Sequence, residues 1–442
     1  MRIALVAMSG IRVCDEELLR LGLTLPGFVE RSKTIASLPS LGLLTLAALS
    51  RPQHEVDYIE IPDMAQVDDI PRGYDLVAIS SYSAQIGEAY ELAARCREAG
   101  TPVVMGGPHV TALPDEALVS CSAVVVGEGE PLWGQVLSDC ENGRLAPVYD
   151  ARGCGYDLAD APVPAFDLLD IAKYNRLTVQ TSRGCPHRCE FCAGSVMLTD
   201  EYKQKPVANV VAEIESILGI WDHPFIEFAD DNSFVNKSYW RELLGWLKGR
   251  HVKWFAETDL SVSEDEDLLE LMRRSGCVQV LIGLESPVEA GLRGLETRAD
   301  WKHRQHPRYR EAIRRIQSHG ITVNGCFILG LDGHTTEVFD QVYDFVRETE
   351  LYEVQVTIQT AFPGTPLYDR LEREGRLLEP TAWQKCTLFD VNYRPSHMTP
   401  EELADRFKEL VVELYGDEFT TWRRSTFRKH LRSHPREGGV AS

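Results

Sequence analysis

Three cysteines share one short loop in the middle of the chain. They are Cys185, Cys189 and Cys192, spaced C-x3-C-x2-C, and they directly follow a strand-like run over residues 177–181. Thiolates are the ligands that iron–sulfur clusters favour, so three of them on one loop can hold three irons of a [4Fe–4S] cubane. The fourth iron is then left to bind a small molecule. The basic residues of the loop, among them Arg183, are expected to offset part of the cluster's negative charge.

Two other interpretations of the triplet stay open from the residues alone. The three thiols together with His187 could hold zinc. Structural zinc usually takes two ligand pairs separated by a longer loop, and this sequence has no second C-x2-C pair. An accidental grouping of structural cysteines is the third interpretation. The other eight cysteines are scattered and are interpreted as core thiols.

Length and composition indicate a large globular protein. The chain has 442 residues, 44% of them hydrophobic and 26% charged, which predicts two domains or one large barrel with additions. The formal net charge of −21 argues against a nucleic-acid binder, which needs a basic footprint. No apolar run approaches the roughly 20 residues that cross a bilayer, so no membrane span is expected. Eleven mostly scattered cysteines favour a reducing, cytoplasmic location over a disulfide scaffold.

Alternating strand and helix patterns divide the chain into four parts. Residues 1–140 predict a doubly wound, Rossmann-like α/β domain. Residues 141–176 contain Asn-Gly, Arg-Gly and Pro-Val-Pro turns and are predicted to be a linker. Residues 177–360 carry six strand–helix units, which predict a partial (β/α)6 barrel. Residues 361–442 are predicted to be a mainly helical extension that closes the barrel mouth, with a solvated basic end at residues 423–436.

Capping residues predict where several helices begin. Ser40 is expected to cap a helix over residues 41–49, and Thr335 or Thr336 a helix that ends near Arg347. Two capping boxes are predicted as well, Ser263 with Glu266 and Thr399 with Glu402.

Glycine-rich or polar loops follow most of the strands, where parallel α/β folds bind ligands. In the first domain, paired glycines in the loops at 106–109 and 127–130 let a backbone approach a ligand closely, and tight turns without a ligand are the equal alternative. In the barrel, five polar residues follow strands and are expected at one rim: Asp230, Asp231, Glu257, Glu285 and Ser286. Their oxygen atoms suit a ligand with ammonium and hydroxyl groups. The alternative role for each is to cap the following helix.

The cysteine loop resembles that of the radical S-adenosylmethionine (SAM) superfamily. The resemblance rests on the triplet and on the aromatic Phe191 just before its last cysteine. It implies that Cys185, Cys189 and Cys192 hold the cluster and that the open iron binds the amino and carboxylate groups of SAM. One-electron reduction then yields a 5′-deoxyadenosyl radical. The residues that it implies as SAM contacts are Phe191, Asp230, Asp231, Glu257, Glu285 and Ser286.

The first domain resembles the cobalamin-binding domain that precedes many radical SAM proteins. The resemblance rests on residues 39–44, 80–81, 106–109 and 127–130. The cobalamin contacts that it implies are Ser80, Ser81, Gly106, Gly107, Pro108, His109, Gly127, Glu128 and Gly129. One departure is that the chain lacks the D-x-H-x-x-G motif, which supplies a cobalt-ligating histidine in other cobalamin proteins. Bound cobalamin is therefore not expected to receive a histidine from that motif.

The two resemblances together imply a cobalamin-dependent radical SAM enzyme. The leading hypothesis is a methyltransferase that acts on an unactivated carbon of a small-molecule, lipid or natural-product substrate. An electron donor such as flavodoxin or ferredoxin is also implied. Two alternatives stay open. One is a radical SAM enzyme that performs a cyclisation, rearrangement or oxidation without methyl transfer, and the other is a non-catalytic iron–sulfur or corrinoid-binding protein.

Overall fold

The computed structural model describes residues 1–21, 38–194 and 201–433. Their contacts divide the chain into two compact units. Of the described residues, the first unit contains 1–21, 38–194, 201–231 and 360–393. The second unit contains residues 232–359 and 394–433.

The first unit begins with a six-stranded parallel sheet whose order is β2-β1-β3-β4-β5-β6. Its strands are β1 (Arg2–Met8), β2 (Glu55–Ile61), β3 (Leu76–Ser80), β4 (Val103–Gly106), β5 (Ala123–Val126) and β6 (Val148–Asp150). The helices of this region are α1 (Glu16–Arg20), α2 (Leu41–Ser50), α3 (Ile86–Glu98), α4 (Pro108–Ala112), α5 (Pro114–Leu118) and α6 (Glu130–Glu141). The order reverses at β1, and ligands of such sheets bind at the carboxyl ends of the strands beside that reversal.

The side chains of β1 show why helices cover both faces of this sheet. Alternate strand residues point to opposite faces. Ala4, Val6 and Met8 enter an apolar layer with the buried side of α3, whereas Ile3 and Leu5 enter a second layer with α2 and α6. All five β1 residues are nearly inaccessible to solvent. The doubly wound arrangement predicted from the sequence is therefore confirmed.

The predicted linker region contributes structure of its own. Strand β6 lies within it and pairs with β5, Val125 opposite Tyr149. Tyr149 is 3% exposed and its hydroxyl donates to Asp139. The segment thus extends the sheet by one strand because its aromatic side chain can be buried against the last helix of the domain.

Strands of the radical SAM-like region begin in the first unit. They are β7 (Leu177–Val179), β8 (Ser182–Arg183), β9 (Lys203–Gln204) and β10 (Phe225–Ser233), and helix α7 (Val207–Leu218) precedes β10. Strand β7 runs parallel to β10, with Leu177 opposite Ile226. Strands β8 and β9 form an antiparallel pair in which Arg183 lies opposite Lys203.

The second unit holds four parallel strands in the order β14-β13-β12-β11. Their bounds are β11 (Lys253–Thr258), β12 (Cys277–Glu285), β13 (Thr322–Leu329) and β14 (Glu353–Ile358). The helices between them are α8 (Lys237–Leu247), α9 (Glu266–Arg274), α10 (Glu289–Leu292), α11 (Trp301–Gln305), α12 (Tyr309–Ser318) and α13 (Val338–Thr349). All six strands predicted for the barrel are therefore present: β7, β10, β11, β12, β13 and β14.

The end of the chain is mainly helical, as predicted. Its helices are α14 (Pro366–Arg373) in the first unit and α15 (Pro400–Tyr415) and α16 (Asp417–Ser433) in the second. Arg423 of α16 is fully buried and donates to the carbonyl of Tyr352, just before β14. In the second unit the extension therefore covers the amino end of a barrel strand, not its mouth, and the prediction that the basic end is solvated is wrong for Arg423. The predicted basic residue Arg436 lies outside the described residues.

Two of the predicted helix caps are confirmed and two are wrong. Ser40 accepts from the amide of Leu43, and Thr399 forms its reciprocal capping box with Glu402. Helix α9 is capped by Asp265, not Ser263, because a 3₁₀ turn over Leu260–Glu264 precedes it. Helix α13 begins after Glu337 without a side-chain cap, so neither Thr335 nor Thr336 has that role.

Within residues 1–21, 38–194 and 201–433, no helix is both long enough and apolar enough to span a membrane.

Candidate active site

The cysteine loop follows the short strand β8. Gly184 begins it with φ of +83°, a conformation that glycine adopts without steric cost. The amide of Cys192 donates to the carbonyl of Cys189 at 3.1 Å, which closes a turn between the last two cysteines. Cys189 is buried, and Cys185 and Cys192 are half-buried. All eleven cysteines of the chain are thiols.

The cysteine side chains of this loop are the type of ligand that iron–sulfur clusters take. Three thiols lie within eight residues, and thiolates are the ligands of such clusters. In the part of the chain that the structure describes, no three His, Cys, Asp or Glu side chains are grouped to hold a single metal ion. A cubane makes a different demand, since three of its irons each take one thiolate at a separate corner.

Asp230 fixes the start of the cysteine loop to β10. Its carboxylate is 2% exposed and accepts hydrogen bonds from the amides of Thr181 (2.7 Å) and Ser182 (2.9 Å) and from the Thr181 hydroxyl (2.5 Å). It therefore caps no helix. Buried carboxylates are stable when such donors surround them. Asp230 therefore connects β10 to the start of the cysteine loop through hydrogen bonds. Its role towards SAM stays a prediction.

Asp231 is the carboxylate of this pair that is exposed, and it faces a cavity. The amide of Gly184 donates to it at 2.9 Å. Partial desolvation in the cavity raises the pKa of its carboxyl, although the Gly184 amide and Arg183 act to lower it. A Cβ atom on Gly194 would lie 2.7 Å from the Asp231 carboxylate oxygen. The loop after the last cysteine thus needs glycine there in order to pack against Asp231.

A cavity of about 740 Å³ lies within the first unit. One wall is formed by the carboxyl ends of β1, β3, β4 and β5 and by the amino end of α2. The cavity is also lined by Arg183, Ala193 and Gly194 of the cysteine loop, together with Asp231 and Lys205. Its volume falls within the range of small-molecule and cofactor sites. The cavity lies where a sheet with this strand order is expected to bind a ligand.

The structure brings together eight of the nine residues predicted to contact cobalamin. The cavity is lined by Ser80, Ser81, Gly106, Gly107, Pro108, Gly127, Glu128 and Gly129. His109 does not line it. Its ring is fully buried between the Ser83 hydroxyl (2.9 Å) and Glu116 (3.3 Å), and burial lowers its pKa. His109 is therefore a core residue of the domain, and the prediction that it reaches the ligand is wrong.

Arg183 connects the cysteine loop to the loop after β5. Its guanidinium donates to Glu128 at 2.6 Å and to Glu130 at 2.8 Å. Lys203 donates to the second oxygen of Glu128 at 2.6 Å. The four side chains are between 9% and 20% exposed, so these ion pairs are largely shielded from solvent. The charge of Arg183 is compensated by these two glutamates, and the expectation that it offsets part of the cluster's charge stays a prediction.

A second ion pair lies behind the cavity wall. Lys205 lines the cavity and pairs with Glu213 of α7, and both side chains are at most 5% exposed. Burial raises the pKa of Glu213 to about 7, although Lys205 lowers it. The wall therefore carries a buried ammonium group whose counterion titrates near neutral pH.

The predicted rim residues of the second unit lie on β11 and at the end of β12. Glu257 is half-buried on β11. Glu285 is 7% exposed with φ of +62°, and Lys302 donates to its carboxylate at 2.8 Å and to the Gly283 carbonyl at 2.6 Å. The charge of Glu285 is thus compensated within the unit.

Ser286 is fully buried and is held by two partners. Its hydroxyl donates to the Val288 carbonyl at 2.9 Å and lies 2.9 Å from Nε2 of His334. Burial lowers the pKa of His334 to about 4, so the ring is neutral near pH 7. Gly291 is required beside them, because a Cβ there would lie 2.3 Å from Nε2 of His334.

The sequence did not predict which side chains would contact the candidate site residues. Lys302, His334 and the pair Lys205–Glu213 carry no local motif. The contact of Arg183 with Glu128 and Glu130 could have been predicted from charge, since the cysteine loop is basic and the Gly-Glu-Gly-Glu loop is acidic.

Comparison with known families gives three matches along the chain. Residues 33–136 match the B12 binding domain, residues 179–346 match the radical SAM superfamily, and residues 365–441 match a domain of unknown function, DUF4070. The first two matches contain the cavity loops and the cysteine loop described above.

Characterised relatives with similar sequences include methyltransferases. Bacteriochlorophyllide d C-12(1)-methyltransferase of Chlorobaculum tepidum is 28% identical over 386 residues, which cover 85% of this chain and 82% of that protein. Hopanoid C-2 methylase of Rhodopseudomonas palustris is 28% identical over 352 residues, covering 78% and 66%. Anaerobic magnesium-protoporphyrin IX monomethyl ester cyclase of Rubrivivax gelatinosus is 25% identical over 364 residues, covering 75% and 64%.

A solved structure shares the fold. The radical SAM methyltransferase TsrM of Kitasatospora setae, with cobalamin and a [4Fe–4S] cluster bound, superposes with a TM-score of 0.67 at 16% identity. The match covers 98% of this chain and 99% of that one. The fold and site therefore define an α/β protein in which a B12-binding domain precedes a radical SAM domain and a helical extension.

The chain belongs to the radical SAM superfamily, in the subgroup with a cobalamin-binding domain. Its cofactors are accordingly a [4Fe–4S] cluster, SAM and cobalamin. The cavity loops fit cobalamin by position, and the three thiols fit the cluster by donor type.

Gly107 gives a test of the cobalamin loops. It has φ of +106°, and a Cβ there would lie 3.1 Å from the Ser81 carbonyl. Gly107→Ala is expected to lower the free energy of unfolding by about 1 kcal/mol or more and to weaken cobalamin binding at least about tenfold, because it pushes apart two loops of the cavity. A titration of hydroxocobalamin followed by absorbance measures the affinity.

Gly100→Ala is the matched control. Gly100 also has positive φ, +87°, but a Cβ there would meet no atom within 4 Å, and Gly100 does not line the cavity. This variant is expected to show a similar backbone cost with normal cobalamin affinity. Equal affinity in both variants would contradict the assignment of the loop.

Proposed function

We propose that the protein is a cobalamin-dependent radical SAM methyltransferase that methylates an unactivated carbon of a small-molecule, lipid or natural-product substrate. The observation that carries this proposal is the shared cavity. Loops of the B12-binding domain line it together with Ala193 and Gly194, which directly follow the last cysteine. A methyl donor and a radical-generating centre must both reach one substrate, and a single cavity lined by both sets of loops supports that requirement.

The proposal gives each group of residues a role. Cys185, Cys189 and Cys192 hold the cluster. The residues that bind and orient SAM are Phe191, Asp230, Asp231, Glu257, Glu285 and Ser286. The cavity loops hold cobalamin. When bound, the cluster with SAM supplies a carbon-centred radical and cobalamin supplies a methyl group, while the protein positions them and excludes water.

Within this proposal, the exposed carboxylate of Asp231 receives the ammonium group of SAM. Desolvation in the cavity raises the pKa of its carboxyl, and a cationic ligand would favour the charged form of the carboxylate. Asp230 supports it indirectly, because its three hydrogen bonds fix the strand end from which Asp231 projects.

The remaining partners follow from the chemistry. A cluster that cleaves SAM needs one electron at a time, so we infer a flavodoxin or ferredoxin as the donor. The reducing cytoplasm is the proposed location, and eleven cysteine thiols in one chain suit it. The names of the methyltransferase relatives support methyl transfer over other outcomes.

Anaerobic turnover with methyl-labelled SAM tests the function before a substrate is known. The protein is reconstituted with iron and sulfide, supplied with hydroxocobalamin and reduced with dithionite. A methyltransferase is expected to form 5′-deoxyadenosine and to release S-adenosylhomocysteine as label enters the corrinoid fraction.

The other outcomes separate the alternatives. Formation of 5′-deoxyadenosine without S-adenosylhomocysteine or label transfer would replace methyl transfer by a cyclisation, rearrangement or oxidation. Neither product, from protein with a full cluster, would overturn the enzyme proposal in favour of a binding protein.

A further inference from the structure

The start of the domain of unknown function lies on the cysteine loop. Residues 360–393, which we call the strap, belong to the first unit, and most of them fall in the matched range 365–441. The guanidinium of Arg370 on α14 donates twice to Glu190, from Nη2 to Oε1 at 2.6 Å and from Nε to Oε2 at 3.1 Å. Glu190 stands directly after Cys189. The strap therefore forms an ion pair with the segment between two of the predicted cluster ligands, Cys189 and Cys192.

Backbone and apolar contacts reinforce this pair. The amide of Leu367, in the first turn of α14, donates to the Glu190 carbonyl at 3.0 Å. Phe191 packs against a small cluster formed by Ala361, Leu367, Leu371 and Tyr393. Both the main chain and the side chains of residues 190 and 191 are thus held by one element.

The far part of the strap is fixed to the B12-binding domain. The indole of Trp383 donates to both carboxylate oxygens of Glu116, at 3.1 and 3.2 Å. The carboxylate of Asp390, 7% exposed, accepts from the amides of Cys14 (2.9 Å) and Asp15 (3.0 Å). At the start of the strap, Phe362 and Pro363 line the cavity.

The Arg370–Glu190 pair is shielded enough to hold a defined geometry. The Arg370 side chain is 25% exposed and that of Glu190 is 17% exposed. Two parallel N–H···O bonds between a guanidinium and a carboxylate fix orientation as well as distance. Such a constraint would help the loop to hold three thiolates in position for one cluster. Mutation of residues that orient metal ligands typically lowers metal affinity 10–100-fold.

We propose that the strap gives the domain of unknown function a role in cluster binding, with Arg370 as the positioning residue for the cysteine loop. The strap fixes the loop between Cys189 and Cys192 and anchors it to the B12-binding domain, so that the cluster and the cavity keep one spacing. The inference rests on the cluster assigned above but does not require methyl transfer.

Loss of iron to a chelator tests the proposal on the full chain. Reconstituted Arg370→Gln is expected to release iron to an excess of bathophenanthroline about tenfold faster than the unmodified protein. The electron paramagnetic resonance spectrum of its reduced cluster is expected to change in shape, with a weaker response to added SAM. Arg370→Lys keeps the charge but not the double hydrogen bond, so an intermediate release rate is expected.

The matched control is Arg373→Gln on the same helix. Arg373 is exposed, and its side chain donates to the carbonyl of Asp369 within α14. This variant is expected to keep the release rate and the spectrum of the unmodified protein. The same result for Arg370→Gln would overturn the proposal.

A second variant separates positioning from general stability. Glu190→Gln removes the ion pair from the loop side and is expected to release iron as fast as Arg370→Gln, while the double variant is expected to be no worse than either. Melting temperatures of the apo-proteins should differ little from that of Arg373→Gln. If Arg370→Gln does not fold, a normal release rate in Glu190→Gln overturns the inference. Failure of the unmodified protein to bind iron at all would instead overturn the proposed function.

Discussion

Alanine at Cys185, Cys189 or Cys192 is expected to remove the iron–sulfur cluster and, with it, all reductive cleavage of SAM. Each thiolate holds a different iron, so two thiolates would leave two irons without a protein ligand. Iron is expected to fall from about four atoms per chain to background. The 5′-deoxyadenosine produced should fall to the level of protein without iron. Metal and sulfide analysis and chromatography of the products, on material reconstituted without oxygen, measure both effects.

Cys121→Ala is the control for the loss of a buried thiol. Cys121 is 3% exposed in the core of the first sheet, and its sulfur lies 3.2 Å from the carbonyls of Ala117 and Ala123. The variant is expected to lose about 1 kcal/mol of stability and to keep its iron. Retention of iron by any of the three loop variants would contradict the cluster assignment. Zinc in place of iron in the unmodified protein would remove the basis for the enzyme.

The sequence was most informative where chemistry and topology act locally. The cysteine spacing after a strand and the glycine-rich loops at strand ends each depend on a few neighbouring residues. Parallel strand order then brings those loops to one edge of the sheet, which is why eight of the nine predicted cobalamin residues line one cavity. His109 shows the limit of the same pattern. A histidine beside paired glycines looks identical in sequence whether it faces a ligand or, as here, is buried in the core beside Glu116.

Carboxylates at strand ends were harder to interpret because three roles share one pattern. Asp230 could have capped a helix, contacted SAM or satisfied backbone amides, and the structure shows the third. Its partners Thr181 and Ser182 stand almost 50 residues earlier in the chain, and no local rule links them. The pairing of Glu190 with Arg370 spans 180 residues. Such contacts follow from the tertiary fold, so periodicity and capping rules cannot supply them.

Arg183→Met is the second variant for which we expect a large effect, because it removes one cation that serves two loops. Methionine keeps an apolar stem of similar length but leaves Glu128 and Glu130 without their guanidinium partner. These carboxylates are only 10% and 9% exposed. Breaking such an enclosed ion pair from one side costs about 3 kcal/mol. Cobalamin affinity and iron retention are both expected to fall at least about tenfold, since Glu128 lies on a cobalamin loop and Arg183 on the cysteine loop.

Urea unfolding of the apo-protein, a cobalamin titration and iron analysis measure the three effects, with Arg144→Met as the control. Arg144 also pairs with a carboxylate, Asp139, but its side chain is 67% exposed, so its loss is expected to cost under about 1 kcal/mol. The same cofactor binding in both variants would show that the two loops are positioned independently. Glu128 keeps its second partner, Lys203, in Arg183→Met, whereas Glu130 loses the guanidinium that compensates its charge. Adding Glu130→Gln to Arg183→Met therefore removes an uncompensated charge and is expected to recover part of the stability. A further loss instead would mean that an uncompensated carboxylate is not the source of the defect.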